Sequence, residues 1–216
     1  MSRMSTQAES TTRLDRRKAR TRAALVDAAR RILAERGTTD VSIQEITDEA
    51  DVGFGSFYNH FETKAELFEA AVAEALEEYG AALDRACEGL DDAAEIYAVG
   101  VRMSARLGTM RPGVARVLLQ AGMSYLSSDQ GLAPRALRDI RRGIEQGRFK
   151  VDNPYVALAS TAGCVLAFLR VNLDRPDSFD ESDADALCEM LLRMLGMTPA
   201  SARAVAHRKL PPVESA

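Results

Sequence analysis

Tryptophan is absent from this chain of 216 residues, and aromatic residues make up only 6% of it. Ala, Leu, Arg and Glu dominate instead, a mixture that favours packed helices over sheets. Histidine is scarce too: with only His60 and His207, and no Glu-x-x-His pair, a histidine-rich metal centre is not expected. No glycine-rich phosphate loop and no nucleophile elbow occurs, which makes catalysis the least favoured class and leaves no catalytic residue, metal or cofactor to nominate. The three cysteines, Cys87, Cys164 and Cys188, form neither a paired ladder nor a Cys-x-x-Cys motif, and the start of the chain lacks the apolar stretch of a signal peptide. A reducing, cytoplasmic location is the expectation. The longest apolar run, Val156 to Leu169, contains Ser160 and Thr161 and is closed by Arg170, short of the roughly 18 residues of a membrane span. It reads as a buried helix, with no membrane association.

What is present is charge, unevenly placed. The net charge is only −4, yet through Arg36 there are ten Lys and Arg against four Asp and Glu, while the remainder carries eighteen against twenty-eight. A basic start suits phosphate and an acidic remainder keeps the surface soluble; a merely solvated basic tail is the plainer alternative. The length favours a small domain fused to a larger one.

Residues 1 to about 12 are polar and without periodicity, which suggests disorder. From Asp15 the pattern turns helical: Leu25, Ala28, Ala29, Ile32 and Leu33 share one face and Gly37 supplies the stop. Ser42 with Glu45 has the spacing of a capping box and opens a helix of two turns. A tight turn at Asp51-Val52-Gly53 follows, then a short helix with Phe57 and Phe61 on its inner face. Thr63 with Glu66 starts a long helix whose stripe runs from Leu67 to Leu83. Further helical segments are expected over about 92–108, 112–127 and 133–147, then from Pro154 to about Leu173, and from Asp183 to Leu195. Gly196 ends the last of these, and one short amphipathic helix is expected between Thr198 and Leu210. No strand pattern competes and no internal repeat is found. The expected organisation is a disordered basic arm over 1–14, a small helical domain over 15–64, a larger helical domain over 65–210 and a tail over 211–216.

Two short helices joined by a tight turn, behind a basic first helix, form the helix-turn-helix pattern, whose second helix lies in the DNA major groove. The run from Val52 to Phe68, VGFGSFYNHFETKAELF, closely resembles the recognition-helix signature of the TetR family. The likeness is strong from about Lys18 to Phe68 and weaker beyond, where Ile144 to Phe149 and Leu192 to Met197 also look like that family. The resemblance implies an all-α protein with a three-helix DNA-binding domain and a divergent helical ligand domain. It further implies a homodimer built on the last two long helices, and repression of a double-stranded DNA operator relieved by a small-molecule effector. A helical adaptor that keeps the frame without reading DNA is the alternative.

The chemistry of the signature fits without the name. Gly55 removes a side chain where backbone approaches the duplex, and Ser56 offers a small donor and acceptor. Tyr58 and His60 can each donate to a phosphate oxygen, whereas Asn59 suits a base edge, where its amide pairs bidentately with adenine. Lys64 is a point charge for phosphate; the resemblance also places phosphate contacts at Tyr58, His60 and Lys64. Arg13, Arg16, Arg17, Lys18, Arg20 and Arg22 are expected to add phosphate contacts, with Thr21 and Ser42 as hydrogen-bonders. Phe54 either presses on a thymine methyl or covers the helix start. Gly53 departs from the hydroxyl N-cap commoner in the family.

For the effector, Tyr97, Met103, Met123 and Phe168 are the nominated pocket residues, with Met110, Tyr125 and Phe149 in the wider set. Filling the core is the competing role for each. The helices from Pro154 and from Asp183 are the nominated dimer elements, because Ala157, Ala159, Ser160, Ala162 and Gly163 allow close approach. A purely intrachain core is the other reading of them. A charge at Leu191 is expected to give monomers.

Overall fold

A computed structural model describes residues 3–211, which form eleven α-helices and two short 3-10 turns with no strand among the described residues. Met1, Ser2 and the tail from Pro212 lie outside the described residues, and side chains are described from Asp15 to Pro211 apart from Glu181. The chain divides into two compact units, residues 1–72 and 73–216.

The first helix, α1 (Arg3–Arg36), starts well ahead of the Asp15 expected from periodicity. The correction has a simple cause: neither glycine nor proline occurs before Gly37, so nothing interrupts propagation once the amphipathic part has nucleated. Gly37 then takes a left-handed φ of 64°, and its N–H closes on the Leu33 carbonyl at 2.9 Å. Helix α2 (Ile43–Glu49) opens on the expected capping box: the Glu45 N–H donates to Ser42 Oγ at 3.1 Å, and the Ser42 N–H donates to Glu45 Oε2 at 2.8 Å. Asp51 carries the turn with a φ of 52°, a left-handed conformation that Asp tolerates better than most residues.

Helix α3 (Phe54–Phe57) is a single turn extended by bonds from the His60 and Phe61 N–H groups to the Phe57 carbonyl, both 3.0 Å. Helix α4 (Lys64–Ala86) is capped by Thr63, whose Oγ1 accepts from the Glu66 N–H at 3.1 Å. Glu66 reaches past Thr63 to accept from the Glu62 N–H at 2.7 Å. Leu25, Leu33, Ile46, Phe57 and Leu67 are fully buried and close the core of this unit with Phe61 and Phe68. Each contributes on the order of 1.5–3 kcal/mol. Two exposed ion pairs, Arg31–Glu49 at 2.6 Å and Arg36–Glu45 at 3.2 Å, tie α1 to α2. At the surface such pairs add at most about 1 kcal/mol.

The division between the units falls inside α4, which continues into the second. There follow α5 (Ala93–Ala105), α6 (Leu107–Met110), α7 (Pro112–Ala121), α8 (Leu132–Glu145), α9 (Pro154–Asp174), α10 (Glu181–Met194) and α11 (Pro199–Ala206). Proline stands in the first turn of α7, α9 and α11, where its missing N–H costs nothing. Helix α10 begins earlier than the expected Asp183, because Asp180 and Asp183 form a capping box around Ser182. Helix α5 is buried almost all round and is packed by α8, α9, α10 and α11, as a central helix must be. Even Arg102 is buried there, donating from Nε to Asp185 Oδ1 at 2.7 Å and from Nη1 to the Arg208 carbonyl at 2.6 Å. Taken as a whole helix and not as an unbroken apolar run, α9 is long and apolar enough to cross a membrane by length and composition. It is packed instead by α5, α7 and α8, and 44% of its most apolar stretch is buried within the chain.

Candidate nucleic-acid interface and ligand cavity

In the first unit, Phe57 and Phe61 lock α3 to the core and so dictate what faces outward. Ring centroids 6.1 Å apart keep the two in contact. Tyr58 is 57% exposed, and its ring is propped edge-on against Phe57 at 5.3 Å and Phe54 at 6.0 Å. Phe54, the first residue of α3 and 48% exposed, braces Tyr58. Asn59 is exposed, while Ser56 and His60 are half-buried. Gly55 is exposed, and a Cβ built there meets nothing within 4 Å. Its lack of a side chain is not demanded by the chain's own packing.

Three of the expected polar contacts are engaged inside the protein. The Lys64 ammonium donates to the Val41 carbonyl at 2.5 Å, half-buried, which uses one of its three donors. Ser42 donates its hydroxyl proton to Glu45 Oε2 at 2.9 Å, and Thr21 donates to the Arg17 carbonyl at 3.2 Å. The Arg22 guanidinium lies 5.3 Å over the Phe61 ring. Arg16, Arg17, Lys18 and Arg20 are exposed along α1, and Arg13 falls outside the described side chains.

The second unit holds a partly open cavity of about 100 Å³ between α4, α5, α7, α8 and α9. Apolar walls come from Leu83, Ile96, Val101, Leu118, Leu158 and Val165. Of the nominated ligand residues, Tyr97 lines it, as does Tyr125 from the wider set; Met103, Met123 and Phe168 do not. Met103 is buried beside the lining stripe of α5, Met123 is 48% exposed, and Phe168 stacks on Phe179 at 4.3 Å. Which face of a helix meets a hollow depends on its rotation against neighbours, and Met and Phe fill space wherever that rotation leaves them.

Sequence reasoning missed the charged part of this wall. Arg135 on α8 holds Glu77 with both terminal nitrogens at 2.6 and 2.8 Å, and its Nε donates to Asp84 Oδ2 at 2.7 Å. Arg138 donates to Asp84 Oδ1 at 2.9 Å and to Asp139 Oδ1 at 2.8 Å. Gly80 makes the room: a Cβ there would stand 3.0 Å from Arg135 Cδ. Hydrogen bonds from Arg135 and from the Gly131 N–H pull the Glu77 carboxyl down to about 2. Burial alone would raise Asp84, but the guanidinium groups of Arg135 and Arg138 outweigh it and hold the carboxyl below its ordinary value. Burial holds Asp139 above the ordinary value against the pull of Arg138, and pushes the Cys87 thiol to about 11. A surface groove lined by Glu77, Asp129, Gln130 and Pro134 shares Asp84, Arg135 and Arg138 with the cavity. The ion pairs therefore stand between the hollow and solvent. No local motif marks the pairing of α8 with α4, since those partners lie more than fifty residues apart; only the i, i+3, i+4 recurrence of Arg135, Arg138 and Asp139 hinted at one face.

Along α9 and α10 an apolar face is uncovered. Tyr155, Val156 and Val171 are exposed on α9; Met190 (67% exposed) and Met194 are exposed on α10. Leu191, by contrast, is 2% exposed and belongs to the intrachain core, so a charge there would damage the fold and not an outer surface. It lies one residue, about 100° of helix, from Met190.

Residues 92–208 match the family described as Tetracyclin repressor-like, C-terminal domain, and residues 25–71 match bacterial regulatory proteins of the tetR family. The solved structure of RolR in complex with resorcinol is 33% identical, covers 93% of this chain and 100% of its own, and superposes with a TM-score of 0.70. RolR without ligand superposes at 0.74 with 34% identity, over 89% of this chain and 100% of its own. The transcriptional repressor DhaR of Mycobacterium sp. (strain GP1) is 40% identical over 70 residues, which is 32% of this chain and 33% of that protein's length.

Proposed function

Because the chain belongs to the TetR family of transcriptional regulators, which are transcription factors and not enzymes, we propose that it is a homodimeric repressor, released from a palindromic operator by a small single-ring molecule bound in the cavity of the second unit. The carrying observation is that cavity. About 100 Å³ is of the order of the roughly 150 Å³ hollow that takes one benzene ring. It is well below the ~300–1,000 Å³ typical of larger ligands. The solved relative with resorcinol supports a compact aromatic effector. A long acyl chain would not fit.

On the DNA side, Gly55, Ser56, Tyr58, Asn59 and His60 meet the major groove and its flanking phosphates, Asn59 at a base edge. Lys64 and the exposed bases of α1 add phosphate charge, and Ser42 shapes the start of α2. Two recognition segments must meet half-sites about 34 Å apart, which requires two copies of the chain at a fixed spacing. The uncovered apolar faces of α9 and α10 supply that contact. Ligand in the cavity favours a spacing the operator rejects, so DNA and effector affinities are reciprocally coupled. The three free cysteines suit the reducing cytoplasm in which such a regulator meets its DNA.

The test is a mobility-shift titration on the DNA flanking the chain's own gene, centred on an inverted repeat, at low salt and with increasing resorcinol. Retardation by two chains per repeat, reversed by resorcinol and insensitive to benzoate, is expected. Failure to retard any such fragment at low salt would sink the regulator reading.

A further inference from the structure

Helix α5 turns one stripe of residues to the cavity: Ile96, Tyr97, Gly100, Val101 and Ser104 line it, each a turn or less from the next. Gly100 stands in the middle of that stripe. Glycine inside a helix is the least favourable choice after proline, and the backbone has no need of it here, because the φ of Gly100 is not left-handed. Packing does not demand it either. A Cβ built on Gly100 meets nothing within 4 Å, although α5 is packed by α8, α9, α10 and α11.

The other helical glycines of this unit form a contrast. A Cβ on Gly80 would crowd Arg135, one on Gly108 would run into Asn172, and one on Gly143 into the ring of Phe149. Gly163 on α9 is also open, but it does not line the cavity. Every residue of α5 is buried except Glu95, which pairs with Arg208, and Gly100. The half-exposure of Gly100 is therefore exposure to the hollow. A residue that weakens its helix, relieves no strain and makes room for no neighbour in the chain leaves that room to a ligand, which approaches the backbone there.

Resting on the reading that this cavity holds the effector, we propose that Gly100 is its size-determining residue: the missing side chain is the space in which one edge of a single ring lies against the α5 backbone. A methyl group at this position stands inside a hollow of only about 100 Å³. Alanine narrows the site against the ring and valine closes it, which leaves a protein that holds its operator and no longer answers to ligand.

The test compares full-length wild type, Gly100→Ala and Gly100→Val by thermal melting without ligand, by calorimetric titration with resorcinol and by retardation of the inverted repeat. Gly100→Ala should melt roughly 1–4 °C above wild type, since the helix gains and nothing is crowded. It should bind resorcinol roughly 5- to 150-fold more weakly, the effect of one extra carbon in a packed contact, and stay on the operator at resorcinol concentrations that release wild type. Gly100→Val should show no measurable resorcinol binding at an unchanged operator affinity. A glycine required by the fold predicts the opposite sign in melting. A Gly100→Ala protein that melts below wild type, or that binds resorcinol as tightly, therefore overturns the size rule and leaves the cavity reading standing. Absence of saturable resorcinol binding by wild type overturns the cavity reading itself, and the size rule with it.

Discussion

Replacing Gly55 with alanine separates what the recognition segment does for the fold from what it does for DNA. In the free protein the new methyl group meets nothing within 4 Å and sits in a helical turn. The backbone preference of alanine over glycine there is about 0.5–1 kcal/mol in favour of folding. For a chain of this size that raises the melting temperature by roughly 1–4 °C. In the proposed operator complex the same methyl stands where backbone closes on the duplex. Forcing one extra carbon into a packed contact costs about 1–3 kcal/mol, or roughly 5- to 150-fold in affinity per half-site, and a two-fold complex meets the cost twice. No charge is lost, so the slope of log affinity against log salt should stay as in the wild type. Thermal melting followed by circular dichroism, with fluorescence anisotropy on the inverted repeat at three salt concentrations, reads all three quantities. A Gly55→Ala protein that melts higher and binds as tightly as wild type would refute the close approach at this position.

Lys64→Met should lower stability to urea by about 1.5–3 kcal/mol through loss of the charged bond to Val41, and should reduce the salt slope of operator binding by roughly one through its other donors; an unchanged slope assigns Lys64 to the fold alone. Met190→Lys should give monomers with weak operator binding by sedimentation, while Leu191→Lys, in the intrachain core, should unfold the chain by circular dichroism; a Met190→Lys dimer would remove α10 from the interface. Glu77 has a folded value near 2 against an ordinary 4.5, so its pairing with Arg135 stabilises fully above pH 4.5 and is lost as pH falls from there toward 2. Urea midpoints of wild type and Glu77→Gln should therefore converge over that window, and parallel curves would show that the pair does not form in solution.

Helix ends were legible wherever a local rule sets them. Gly37, the Ser42–Glu45 box, the Asn153–Pro154 start and Gly196 all act through bonds to residues within a turn, so spacing along the chain is enough. The same holds for Phe57 and Phe61, whose four-residue interval puts both on the inner side of α3 and the turn that follows it, and leaves Tyr58 and Asn59 outward. The start of α1 is not legible in polar composition; it follows from the lack of any helix breaker from Arg3 to Arg36.

The amino-acid order alone settled the class of the protein, the helical frame of its reading head and the family likeness. These depend on periodicity, caps and turns, all short-range. Tertiary packing decided the rest: that Leu191 turns inward while Met190 does not, that the hydroxyls of Tyr97 and Thr161, sixty-four residues apart, are hydrogen-bonded, and that Arg135 bridges Glu77 and Asp84 beside a hollow. Each of these turns on how one helix is rotated and shifted against another. That rotation minimises the energy of the whole core, so no single segment encodes it.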